Sequence, residues 1–224
     1  MQVIIAGTGK LATELCQLLS KSADYQVKPW ADRPRTAEQA IVVHAGSGRE
    51  LEDIVAYCEA TRSTLLELST GSRIESMSCG FPVVLCPNTN ILMLKFMAML
   101  EQAGPMFRPY AIQVMESHQA TKTSVPGTAV NIAHSLGVAT DDIHSVRDPE
   151  VQKAQCQIAD ADLARHAYHQ ILIQDGPCSV KLETRVFGDA PYAHGVDQII
   201  KAAMTHELEN RCYPVMTFIQ QGWL

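Results

Sequence analysis

The stretch from Glu116 to Ala129, E-S-H-Q-A-T-K-T-S-V-P-G-T-A, gathers side chains suited to moving a proton at a small anion. His118 supplies an imidazole, a group able to carry a proton. Lys122, in the same loop, adds a mobile cation. Gly127 and Thr128 precede an apolar-periodic run that ends at Leu136, so they start a helix whose first amides, with the Thr128 hydroxyl, suit a carboxylate. The stretch ends one strand, predicted over 112–116, and begins that helix. Such a constellation fits a site for a small carboxylic acid.

A second chemical signal lies at the N-terminus. Gly7-Thr8-Gly9-Lys10-Leu11-Ala12 is a G-x-G-x-x-A pattern directly after a β-branched run, Gln2 to Ala6, and directly before an amphipathic helix through Ser20. Gly7 permits the tight turn, Gly9 lets the backbone approach a pyrophosphate, and Ala12 allows close helix packing. The helix start offers its amides and positive dipole end to the anion. A second strand over 25–31 ends at Asp32, where a carboxylate accepts bonds from an adenosine ribose. Asp32 favours NAD(H), whereas Arg33 and Arg35 beside it suit the extra phosphate of NADP(H), so both nucleotides stay open. A third strand over 40–44 enters a glycine turn, with Gly46 and Ser47 placed to approach the pyrophosphate or the nicotinamide ribose.

The elements that position these residues alternate. After the third strand come a helix from about 50 to 61, a strand over 64–68 ending in Ser69-Thr70-Gly71, and a strand over 81–86 closing at Pro87-Asn88-Thr89-Asn90. Strands and helices in this rhythm imply a parallel sheet with ligands at the carboxyl ends of its strands, a Rossmann dinucleotide-binding domain over 1–109. Asn88 either caps the following helix or stands beside the nicotinamide. From Tyr110 the rhythm changes. An antiparallel pair around Asp175-Gly176-Pro177 and a helix from about 195 to 205 imply a C-terminal mixed α/β sheet domain over 110–205, for substrate binding and oligomerisation, with 206–224 packing back on the first domain. Tyr192 and His194 either approach the substrate or belong to a plain loop before that helix. Residues 148–169, rich in Gln and Ala, are expected to be helical. His166 and His169 would then share a helix face, but with no third ligand at a supporting spacing, so no metal is expected.

Composition narrows the function classes. Hydrophobic residues at 46% and charged residues at 19% exclude a disordered chain. A net charge of −6 with scattered basic residues argues against a nucleic-acid partner. The seven cysteines form no CxxC pair and cannot all be paired, which fits a reducing compartment. The opening MQVIIAG lacks the basic and long apolar regions of a signal peptide, and 91–100 is too short to span a bilayer. A soluble cytoplasmic protein without a membrane partner is expected.

The Glu116–Ala129 stretch resembles the substrate motif of the dihydrodipicolinate reductase family, E-x-H-H-x-x-K-x-D-x-P-S-G-T-A. Ser69-Thr70-Gly71 is similar to that family's T-T-G turn, and Pro87-Asn88-Thr89-Asn90 to its P-N-F-S segment. The resemblance implies a pyridine-nucleotide reductase of amino-acid metabolism, working as a homotetramer formed through the C-terminal sheet. It places His118 and Lys122 on the groups assigned to proton donation and substrate binding, and Gly127 and Thr128 on the pair that holds a substrate carboxylate. Ser69, Thr70, Gly71, Pro87 and Asn88 fall on its cofactor segments. The chain departs from the motif at Gln119, in place of a second histidine, at Ser124, in place of an aspartate, and by lacking the serine between proline and glycine. Gln119 suits hydrogen bonding to a substrate carboxylate or amide. The implied reaction is hydride transfer to a small carboxylated imine or conjugated cyclic imine, with proton delivery by Lys122 or His118. Alternatives are an amino-acid or amine dehydrogenase of the same plan and a non-catalytic NAD(H)-binding regulatory protein.

Overall fold

The structure is a computed structural model that describes residues 1–34, 38–188 and 192–224. Residues 35–37, among them Arg35, and residues 189–191 lie outside the described residues. In chain order the elements are β1 (Gln2–Ala6), α1 (Lys10–Leu19), β2 (Gln26–Pro29), β3 (Ala40–His44), α2 (Leu51–Thr61), β4 (Thr64–Glu67), β5 (Val83–Leu85) and α3 (Ile91–Ala103). They continue with β6 (Ala111–His118), α4 (Gly127–Leu136), β7 (His144–Val146), α5 (Pro149–Cys156), β8 (His166–Asp175), β9 (Cys178–Phe187), α6 (Ala193–Thr205), β10 (Cys212–Pro214) and α7 (Val215–Gln220). Among the described residues no helix is long and apolar enough to cross a membrane.

Two compact units divide the chain, 1–91 with 192–224, and 92–191. The first holds a six-stranded sheet in the order β10-β5-β4-β3-β1-β2, parallel throughout. Its central strands are apolar runs rather than alternating ones. Ala40 to Val43 and Val3 to Ala6 are all buried, the pattern of strands covered on both faces. Ala12, Leu15 and Leu19 form the buried stripe of α1, spaced as one helix face. The strand order reverses between β1 and β3, and in such sheets ligands bind at the carboxyl ends beside that reversal.

The boundaries differ from those expected at 109/110 and 205/206, for identifiable reasons. The α6 helix groups with the first unit because Asp197 accepts the Tyr25 hydroxyl at 2.6 Å and Lys201 pairs with Asp24 at 2.9 Å. The body of α3 and the turn after it group with the second, where a Cβ on Gly104 would stand 2.6 Å from the Ser135 carbonyl oxygen.

The second unit is a four-stranded sheet in the order β7-β6-β8-β9. The chain leaves β6, forms α4 and returns as the parallel neighbour β7, while β8 runs antiparallel to both β6 and β9. Register places Glu116 opposite His169 and His169 opposite Thr184, a polar row two positions from the Val114–Ile171–Leu182 row on the same face.

The expected helix over 148–169 is corrected. Asp148 caps α5 by accepting from the Glu150 and Val151 amides, but Gln157 adopts a left-handed conformation (φ 54°) that ends it. Strand pairing then takes over from His166, with Tyr168 fully buried. On a strand, His166 and His169 point to opposite faces, so the helix face they were expected to share does not exist.

Candidate active site

In the first unit the expected cofactor residues gather at the carboxyl edge of the sheet. Gly7 has φ +127°, a conformation favouring glycine, and a Cβ there would collide with the Ala45 carbonyl oxygen, so the turns after β1 and β3 touch. A Cβ on Gly46 would lie 3.3 Å from Gly7 Cα. Gly9 stands at the start of α1 with open space where a side chain would be, and supplies no side-chain cap. Lys10 is exposed and pairs with Glu14 at 3.9 Å. Thr8 is exposed and Leu11 half-buried. Ser47 accepts from Arg49 Nε at 3.1 Å. The Ser69 hydroxyl donates to the Gly46 carbonyl at 2.8 Å, joining the turns after β3 and β4, and the Gly71 amide donates to Glu75 at 2.8 Å. Thr70 is exposed, and Pro87 stands two residues past the end of β5. Asn88 Oδ1 accepts the Asn90 amide at 2.9 Å, in the turn that leads into α3.

The second strand ends earlier than expected, at Pro29, and Trp30–Asp32 forms a single 3-10 turn. Asp32 is exposed just past that end. The Arg33 guanidinium lies 4.1 Å over the Trp30 ring and donates to the Trp30 carbonyl at 3.0 Å. Trp30 in turn meets Tyr57 edge-on at 5.6 Å. The anion-binding arginine of the sequence reading is thus tethered beside Asp32.

In the second unit β6 runs two residues past its expected end, to His118, and Gly127 opens α4, as expected. Glu116 is fully buried on β6, and its carboxylate carries the geometry of the site. Arg147 grips it with both terminal nitrogens, at 2.6 and 3.1 Å, and His118 Nδ1 lies 2.8 Å from Oε2. Burial pushes the Glu116 carboxyl up, but the hydrogen bonds from His118 and Arg147 overcome this and hold it at about 2. An ionised carboxylate only accepts, so Nδ1 carries the hydrogen and His118 keeps Nε2 for proton exchange. Arg147 Nε also donates to the Lys122 carbonyl at 2.9 Å, and Gln152 donates to the His118 carbonyl at 2.7 Å. One arginine therefore braces both residues expected to act chemically.

Lys122 is half-buried, its amide closing a turn on the Gln119 carbonyl at 2.9 Å. Its ammonium bonds no other described residue. Pro126 precedes α4 and has no side chain that can cap the helix, and the first turn carries no acid. Gln119 and Thr128 are half-buried in the same loop and first turn. His169 packs edge-on to His118 at 5.6 Å and donates or accepts at Thr184 Oγ1 over 3.0 Å. Burial, with repulsion from His118, lowers its imidazole to about 4, so it is neutral at pH 7.

Sequence reasoning missed Arg147, Gln152 and His169, and in the first unit His44 and Glu67. Glu116 gave a signal, an acid closing the predicted strand two residues before the candidate histidine. The others come to their places through strand pairing and leave no local mark. Tyr192 and His194, offered to the substrate domain, belong to the first unit, where the Tyr192 carbonyl accepts from Thr89 at 3.3 Å.

A parallel dinucleotide-type sheet followed by a mixed sheet is a fold that solved reductase and dehydrogenase structures also have. The dipicolinate-bound dihydrodipicolinate reductase from Paenisporosarcina sp. TG-14 shares it with a TM-score of 0.69, at 17% identity, over 96% of this chain and 97% of that one. No family model matches the chain. In sequence it is 30% identical over 153 residues to 4-hydroxy-tetrahydrodipicolinate reductase 1, chloroplastic, of Arabidopsis thaliana, covering 62% of this chain and 44% of that protein. It is 32% identical over 123 residues to a probable 4-hydroxy-tetrahydrodipicolinate reductase 1 of Oryza sativa subsp. japonica, 50% of this chain and 36% of that protein. The chain thus spans less than half the length of these plant relatives. In sequence and in fold the chain is thus similar to dihydrodipicolinate reductases.

Proposed function

We propose that the protein is an NAD(P)H-dependent reductase that adds hydride to the imine carbon of a small carboxylated imine or conjugated cyclic imine. The observation that carries this reading is His118, held by a buried, ionised Glu116 and leading into the Lys122 loop and the start of α4. The open space at Gly9, beside the close contact of the turns at Gly7 and Gly46, suits the approach of a pyrophosphate. Those glycines, with Thr8, Lys10, Leu11 and Ser47, hold the nucleotide, aided by Ser69, Thr70, Gly71, Pro87 and Asn88. Asp32 takes the adenosine ribose, and Arg33 admits a 2′-phosphate, so NADH and NADPH both serve. The bound nicotinamide supplies the hydride.

The remaining chemistry belongs to the second unit. Lys122 and the amides of Gly127 and Thr128 bind the substrate carboxylate, and Gln119 adds a neutral hydrogen bond. His118 Nε2 delivers the proton that the reduced substrate needs, and Glu116 stabilises the imidazolium that precedes transfer. General acid catalysis of this kind contributes on the order of 10² to 10⁴ in rate. The family's homo-oligomer, a dimer or tetramer built through the second unit's sheet, is part of the same proposal.

Turnover with a panel of imines, with and without ammonia, tests the reading. Consumption of NADH or NADPH with preformed cyclic imino acids, independent of ammonia, is the expected result. Activity only on a keto acid plus ammonia would assign an amino-acid dehydrogenase instead, and nucleotide binding without turnover would assign a regulatory protein.

A further inference from the structure

Beneath the cofactor turns of the first unit lies a buried ionic network that the proposed chemistry does not use. His44 and Glu67, the last residues of β3 and β4, are register partners, and both side chains are fully buried. His44 Nδ1 lies 2.9 and 2.8 Å from the two carboxylate oxygens. Glu67 also accepts the Ser69 amide at 2.8 Å and the Ser72 hydroxyl at 3.0 Å. Through Ser69, whose hydroxyl bonds the Gly46 carbonyl, the carboxylate reaches the turn after β3. The other edge of the imidazole faces that turn as well. A Cβ on Gly46 would stand 2.9 Å from His44 Nε2, at the point where it would also crowd Gly7 Cα.

This arrangement is expensive. Two ionisable groups are desolvated at strand ends whose neighbours, Val43 and Leu66, are apolar, and well-packed hydrophobic residues would serve stability as well or better. His44 Nε2 is buried with no partner among the described residues, which adds a further cost. What the pair provides and packing does not is a set of directed bonds linking the turns after β3 and β4, with an imidazole edge under the contact between the turns after β1 and β3. We infer that His44 and Glu67 are positioning residues of the dinucleotide site, fixing the spacing of three turns that meet the pyrophosphate and ribose. The inference rests on reading those turns as the cofactor site.

Nucleotide affinity and thermal stability, measured together on variants, separate positioning from packing. Titrations of NADH and NADPH into the wild type, E67Q and the double variant H44F/E67L, followed by nucleotide fluorescence, are compared with each protein's Tm. E67Q keeps an acceptor for the Ser69 amide and can donate to the other His44 tautomer, so it should bind within about threefold of wild type. The double variant replaces the pair with apolar side chains, so it should keep its Tm while binding at least about tenfold more weakly. A folded double variant with wild-type affinity overturns the inference. If the double variant does not fold, H44N decides. Its amide keeps a donor to Glu67 in place of Nδ1 but removes the imidazole edge beneath the turns, so it should weaken binding about threefold or more, and unchanged affinity again overturns the inference. Failure of the wild type to bind either nucleotide overturns instead the reading of the first unit as a dinucleotide site, and the inference with it.

Discussion

His118 owes its expected chemistry to Glu116, two residues back on its own strand β6, and to Arg147, which directly follows the neighbouring strand β7. Substituting His118→Ala or Lys122→Ala is expected to lower turnover at least about tenfold while leaving nucleotide affinity nearly intact. Steady-state rates and nucleotide titration on each variant check this, and an unchanged rate removes that residue from the mechanism. Arg147→Ala leaves a buried carboxylate without its cation, which is expected to cost about 3 to 5 kcal/mol of stability by urea unfolding. His169 sets a pH dependence. Its folded pKa of about 4 lies below the unfolded value of about 6.5, so between these values the unfolded chain binds more protons. Stability is therefore full above about pH 6.5 and falls as pH drops toward 4, by no more than about 3 kcal/mol from this group. Urea unfolding at pH 7 and pH 5 should show a larger loss in the wild type than in His169→Gln. His118 and Lys122 were legible because they sit within one short motif. Arg147 was not, since its 31-residue separation from Glu116 is closed only by the pairing of β6 with β7.

At the scale of elements, the site is made by where strands stop. The apolar runs of β1 and β3, each followed by glycine, were readable because strands buried on both faces are continuous in sequence and the turns between them carry the residues that tight approach demands. Gly46→Ala forces a Cβ against both His44 Nε2 and Gly7 Cα. Nucleotide affinity is expected to fall about tenfold or more, read by the same titration, with Tm lowered by a few degrees. The second unit was less legible. Its strand β8 begins in Gln- and Ala-rich sequence that suits a helix, and only the ladders with β6 and β9, together with burial of Tyr168, override that local preference. The grouping of α6 with the first unit was hidden for the same reason, because Tyr25 and Asp197 meet across 172 residues of chain.

At the scale of the whole molecule, one chain carries a dinucleotide-type unit and a unit with a carboxylate-held histidine, the two halves that the proposed reductase requires. It does so while spanning less than half the length of the plant reductases it matches. The departures at Gln119 and Ser124 fall in the loop proposed to bind substrate, whereas the glycine turn after β1 keeps the dinucleotide pattern, so on this proposal they bear on substrate choice. The measurement closest to the central claim is isotope transfer. Reduced nicotinamide nucleotides deuterated at the hydride position are incubated with the protein and a dihydrodipicolinate-type substrate or other cyclic imino acids, and the products are analysed by mass spectrometry. Deuterium at the former imine carbon, lost in the His118→Ala protein in proportion to its rate, is the predicted result. Unlabelled products, or nucleotide that is bound but never consumed with any imine, would contradict it.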